Sequence, residues 1–264
     1  MWNRKNKTIK ESESVNMKIK FRPLKENEID CRVSQIASNW LTLLLYKDAR
    51  ADMDLLDETV GAMNWKRSHV RDNANCIVSI YDEEKKEWVS KEDTGTESFS
   101  EAEKGLASDS FKRACVNWGI GRELYTAPSI FIFPKKEMGK NTKKADENGE
   151  PIYEPEFFEK GNGKYDTKTR FHVDLIKYDE NKNITDLIIK DHKKNTRFES
   201  ITKETEKELI QKQMKVQELI KAKEQKDKTF KRENLYKYFE VESDMQLGSK
   251  DLDEIIKLLD KKEK

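Results

Sequence analysis

The chain has 264 residues, 39% of them charged and 35% hydrophobic, with a mean hydropathy of −0.97. A globular domain carries about 25% charged and about 45–50% apolar residues, which argues against one compact domain throughout. The 52 basic and 51 acidic residues nearly cancel; this excludes a global attraction to polyanions and leaves a local basic surface as the only route to nucleic acid. No run approaches 18 apolar residues, so no transmembrane helix is expected. Met1–Lys20 lacks the apolar stretch of a secretory leader. Cys31, Cys76 and Cys115 form no CxxC pair, which fits a reducing cytoplasm and offers no thiolate zinc site. No cofactor is expected.

Residues 1–28 are rich in Lys, Glu, Asn and Ser and read as a flexible arm with a short strand at Met17–Phe21. Residues 29–198 are the expected core. Ala49, Met53, Leu56 and Val60 recur at helical spacing, so Asp48–Val60 is a helix ending before Gly61. Trp65–Val70, Cys76–Tyr81 and Glu87–Lys91 read as strands, with Asp82–Lys86 as a polar turn. Ala107, Phe111, Cys115 and Trp118 give Glu101–Trp118 one buried face, and Gly119 ends that helix. Trp65, Trp88, Trp118, Tyr81, Tyr125 and Phe131 are expected mostly on buried faces, with core packing the default for each, although some could stack bases as in single-strand binders.

Residues 134–168 lack periodicity and read as a long insertion. Thr169–Tyr178 and Ile184–Lys190 are two further strands. Residues 199–228 read as a solvated helical linker with a thin apolar stripe. Residues 229–264 read as a small helical module, because Leu252, Ile255, Ile256 and Leu259 recur at i, i+3, i+4 and i+7. The fold class is α+β: a short antiparallel meander packed by helices, a β-β-β-α core, with a helical C-terminal extension.

One block concentrates the informative residues: Glu103-Lys104, then Ser108-Asp109-Ser110-Phe111-Lys112-Arg113-Ala114, then Trp118-Gly119-Ile120-Gly121-Arg122-Glu123-Leu124-Tyr125. Lys104, Ser108 and Lys112 form a ridge at i, i+4, i+8, with Arg113 beside it, which could track a phosphate backbone. A solvated charged face with Glu103 and Asp109 as partners accounts for the same spacing. Gly119-Ile120-Gly121 follows a helix, so it reads as a helix stop and turn and not as a dinucleotide loop. Arg50 opens the first helix, where a cation opposes the helix dipole and an anionic ligand would compensate. His69, His172 and His192 are isolated, and no hydrolase or P-loop signature occurs.

The same block, with Leu44–Arg50, Gly61 and Asn64-Trp65 before it and Lys91-Glu92-Asp93-Thr94-Gly95 between, resembles the Sak-type phage single-strand annealing proteins, relatives of the Rad52 recombination mediators. The similarity runs from about Arg32 to Phe133. It implies rings or filaments of identical subunits that hold single-stranded DNA in a basic groove and anneal complementary strands in phage recombination without ATP. Such a protein binds DNA without making or breaking bonds, and works in the bacterial host cytoplasm. By this resemblance Arg50, Lys112 and Arg113 match DNA-contacting positions, with Lys104 a looser match; Arg122 and Lys91 complete the candidate set. Ala62 and Val116 stand where the eukaryotic relative has an aromatic residue and a further Arg. A single-strand-binding protein or an exonuclease is a candidate partner of the C-terminal module.

Two other readings remain open from sequence. One is a recombination or replication adaptor acting through the C-terminal helices. The other is a metal-dependent nuclease using Asp72 with Glu83, Glu84, Lys85 and Glu87.

Overall fold

The structure is a computed structural model and describes residues 19–96, 102–135, 140–145, 151–153 and 155–260, with 102–104, 140–145 and 151–153 described by backbone path. The expected arm over 1–28 falls outside this range up to residue 18. Its remainder is not an arm: Phe21 and Leu24 are 2% and 1% exposed and join Ile29 in the core. Burying those side chains outweighs the polar composition around them. Of the expected strand Met17–Phe21, the described end is not in a strand.

Strands β1 (Asp30–Ile36) and β2 (Leu41–Tyr46) come first, then α1 (Ala49–Val60). Asp48 caps α1 by accepting from the Arg50 and Ala51 amides, and Gly61 closes it at φ +85°. Strands β3 (Trp65–Val70), β4 (Asn75–Asp82) and β5 (Glu87–Thr94) form the expected meander. Its second turn is fixed by Asp82, which accepts from the Glu84 and Lys85 amides. Helix α2 (Ala102–Trp118) packs on β4 and β5 through Phe111, Ala114 and Cys115, each fully buried.

Strand β6 (Ile130–Ile132) follows. The expected insertion is not structureless. It holds β7 (Lys140–Ala145) paired with β8 (Pro151–Tyr153), and β9 (Phe157–Gly161) paired with β10 (Lys164–Thr167). Strands β11 (Phe171–Tyr178), β12 (Ile184–Asp191) and β13 (Thr196–Ser200) complete a six-stranded antiparallel sheet of order β13-β12-β11-β1-β2-β6. The buried sides of that sheet, of the meander and of α1 and α2 share one core, in which Leu41, Leu55, Leu56, Val78, Ile132, Leu187 and Ile189 are fully enclosed.

Helices α3 (Lys203–Lys226), α4 (Arg232–Tyr238) and α5 (Ser249–Leu259) build a second core. Val216 and Ile220 of α3 are buried in it with Phe239, Leu252 and Ile255. The expected boundary near 228 therefore does not hold: the thin stripe of α3 is a packing face, and α3 is one wall of the module. Polar contacts tie the module to the sheet. The buried Lys190 ammonium donates to the Gln246 carbonyl at 3.0 Å, and Lys194 donates to that of Phe239 at 2.6 Å.

A buried charge network anchors β9–β10 to β13. The Arg197 guanidinium, 3% exposed, donates to both Glu156 oxygens at 2.6 and 3.0 Å and lies 3.4 Å from Asp191. Burial alone would push the Glu156 carboxyl up, but bonds from Arg197, Lys135 and Thr169 outweigh it and hold it below its ordinary value. Asp191 is held low in the same way, against its burial, by Asn195 and Lys135. Native values below unfolded ones contribute stability that is present above the ordinary carboxylate range and is lost as pH falls through the lowered values. Arg197→Met leaves Glu156 buried without its ion-pair partner, while Asp191 keeps Lys135 at 3.2 Å, so urea unfolding at neutral pH should show a loss of about 3–5 kcal/mol. A loss below about 1 kcal/mol would mean that water already screens the network.

Candidate nucleic-acid interface

Burial of Phe111, Ala114 and Cys115 turns Asp109, Lys112, Arg113 and Val116 of α2 toward the outer face of β1 and β2. That sheet face follows from alternation and register. Leu41 and Leu43 point into the core while Leu44, 58% exposed, points out, and Arg32 lies directly opposite Leu44 on β1. A cleft of about 330 Å³ results, lined by Arg32, Leu44, Tyr46, Lys112, Arg113, Val116 and Tyr125 among others. It shares Arg32 and Tyr46 with a hollow of about 560 Å³ that reaches Arg170. It shares Leu44, Leu45, Leu124 and Tyr125 with a third, of about 370 Å³, that reaches Phe131. The three hollows thus neighbour one another along β1 and β2 through shared lining residues.

The two cations that α2 brings to the cleft are lightly held. Lys112 sits over the Tyr46 ring at 4.3 Å, a contact worth about 0.5–1 kcal/mol near the surface. Arg113 pairs with Asp109 at 3.1 Å, both partly exposed, and such pairs contribute about 0–1 kcal/mol. A phosphate could displace either contact at small cost. Arg50 is 83% exposed at the start of α1, paired with Asp48 at 2.7 Å, and it is not part of the cleft lining. The Lys104 side chain lies outside the described residues.

Arg122 and Lys91 are placed differently. Arg122 donates to the Val116 and Asn117 carbonyls at 2.8 Å each. Lys91 donates to Asn117 at 2.8 Å and lies 4.6 Å over the Trp118 ring. Helix α2 has no basic residue in its own last turn, so these two supply the cations that its carbonyl end favours. Gly119 at φ +100° and Gly121 at φ +75° turn the chain there, which is the helix-stop role their spacing suggests.

Arg32 lines the cleft although sequence reasoning did not single it out, and Tyr125, expected with the other aromatic residues mostly on a buried face, lines it too. Tyr125 is 78% exposed, Phe131 48% and Trp88 40%, against the expectation that the aromatic residues are mostly buried. Trp65 and Trp118 do pack against the core. The nuclease reading is corrected by geometry. Asp72 lies in the turn before β4 and Glu83 in the turn after it, at opposite ends of an eight-residue strand that spans roughly 26 Å.

The cleft floor is a buried ion pair. Lys47, bonded to Asp52, is 5% exposed and Asp52 is 0% exposed, with Asp52 Oδ2 unpartnered. Gly121 leaves room for this lysine, because a Cβ there would stand 2.4 Å from Lys47 Cε. Gly95 is likewise pinned: a Cβ would stand 2.5 Å from the Ser110 amide nitrogen of α2. Burial pushes the Asp52 carboxyl up to about 6, and the Lys47 charge offsets only part of that.

A model of the Rad52/22 family of double-strand break repair proteins matches residues 12–144, half of the chain and every residue that lines the cleft. A search of curated proteins and one of solved structures returned no match.

With its native value above the unfolded one, Asp52 contributes most to stability below the ordinary carboxylate range, and that contribution is lost as pH rises through about 6. Removing the counter-charge widens the gap. Lys47→Met should therefore destabilise by about 3–5 kcal/mol in chemical unfolding at about pH 8, and by clearly less at about pH 5. An equal cost at both pH values would show that Asp52 is already neutral beside Lys47.

Proposed function

The chain belongs to the Rad52/22 family of double-strand break repair proteins, and from that premise we propose that it binds single-stranded DNA and anneals complementary strands in homologous recombination. The observation that carries the reading is the cleft in which Arg32, Lys112 and Arg113 stand beside Tyr46 and Tyr125. Cations gathered in one cleft can contact phosphates and release counterions, with no requirement for base sequence. Arg50, exposed at the start of α1, extends the basic surface. The near-neutral net charge is compatible with this, because the acidic residues are spread over the whole chain while Arg32, Lys112 and Arg113 share one cleft.

In this reading the protein is of the Sak phage type, works in the cytoplasm of a bacterial host, and acts as a ring or filament of identical subunits whose clefts join end to end. Annealing then needs no ATP, because the protein supplies binding and alignment and pairing supplies the free energy. The C-terminal module is left for protein partners.

The test is salt-dependent binding to an oligonucleotide, with annealing followed in parallel. Lys112→Ala combined with Arg113→Ala should weaken binding strongly and reduce the slope of log affinity against log salt by about 1.4, at about 0.7 per lost phosphate contact on a single strand. Annealing without ATP should fall with it. A folded double variant with wild-type affinity and slope would remove the cleft as the DNA site.

A further inference from the structure

Beside the cations, the cleft opens into an apolar hollow between β2 and the 122–131 segment. Tyr125 and Leu44 line both the cleft and the hollow, and both face solvent, at 78% and 58% exposure. Their burial would stabilise the fold, yet the fold leaves them out. Phe131, across from Thr42 on the neighbouring strand, extends the same face at 48% exposure. Tyr125 and Arg113 line the same cleft. An exposed ring beside a phosphate-binding cation is the pairing that single-strand binders use, with the charge on the backbone and the π-face on a base.

We propose that this hollow is a nucleobase seat: a strand whose phosphates lie on Lys112 and Arg113 rests a base on Tyr125, with Leu44 forming the other side. The proposal rests on the single-strand-binding reading above and adds a subsite to it. The charge beside the hollow selects the occupant. An apolar protein partner would gain nothing from the two weakly held cations at its rim, whereas a polynucleotide engages the charge and the apolar hollow at once. The seat takes any base, because stacking on a phenol ring does not read the hydrogen-bonding edge. That edge stays open to a complementary strand.

The experiment compares a short oligothymidylate with an abasic oligonucleotide of equal length, on the full chain and on Tyr125→Ala, Tyr125→Phe and Leu44→Gln, with melting and solution mass measured for each. The wild type should prefer the base-bearing strand by about tenfold. Tyr125→Ala should lose that preference while keeping the wild-type salt slope, Tyr125→Phe should keep the preference, and Leu44→Gln should reduce it. Preference unchanged in Tyr125→Ala overturns the seat. So does an altered assembly mass with preference intact, which would make the face a contact between copies. A wild type that binds neither strand defeats the single-strand-binding reading itself. A wild type that binds both strands equally defeats only the seat.

Discussion

The burial of one side of α2 governs the rest of the arrangement. Phe111, Ala114 and Cys115 are fully enclosed, and Phe111 stacks on Trp65 of β3 at 6.2 Å. A helix held that firmly along one stripe has no freedom to rotate. Lys112 and Arg113 are then obliged to face β1 and β2. Gly95 at the end of the meander lets α2 approach so closely that a single added carbon would meet its backbone. Lys91 and Arg122 secure the far end of the helix. The cleft is thus a consequence of core packing, with its cations set at the rim and one buried ion pair beneath.

The balance of strengths across the cleft suits a binding surface. Below it, Lys47 and Asp52 are enclosed and depend on each other; losing one is costly because the other remains buried. At the rim, the Lys112 contact with Tyr46 and the Arg113 pair with Asp109 are partly solvated and weak. The floor keeps its geometry while the rim exchanges partners, which reduces the ordering cost of taking up a charged polymer. Val116 gives the α2 wall an apolar stretch, so the positive charge is concentrated toward Arg113, Lys112 and Arg32.

The helices and the meander were legible because local signals agree. Asp48 and Gly61 bracket α1, apolar residues repeat at helical spacing in α2, and Asp82 marks a turn. Strands β1 and β2 were not legible. Leu41–Tyr46 is an almost continuous apolar run, whose period does not separate strand from helix, and Asp30–Ile36 is mostly polar because only one side of it meets the core. The hairpins within 134–168 are polar and short; both rest on strand pairing, and β9–β10 is also anchored through Glu156 by Arg197, far along the chain. The role of α3 was hidden for a related reason: Val216 and Ile220 make a thin stripe that becomes a core only when α4 and α5 fold over it. Among the site residues, Lys112 and Arg113 were readable from their helix face. Arg32 was not, since strand register brings it beside a helix distant in sequence; Tyr125 stood out as an aromatic residue in the sequence, but its exposure is visible only in the fold. Arg122 looked like a ligand-binding cation, and its commitment to helix carbonyls is visible only in three dimensions.

The most direct measurement is a cryo-electron microscopy structure of the full chain with a single-stranded oligonucleotide. The account predicts phosphates within hydrogen-bond distance of Lys112 and Arg113, with the strand running along the outer face of β1 and β2 past Arg32. A strand seated on the open face of the meander or on the C-terminal helices, with the cleft empty, would contradict it.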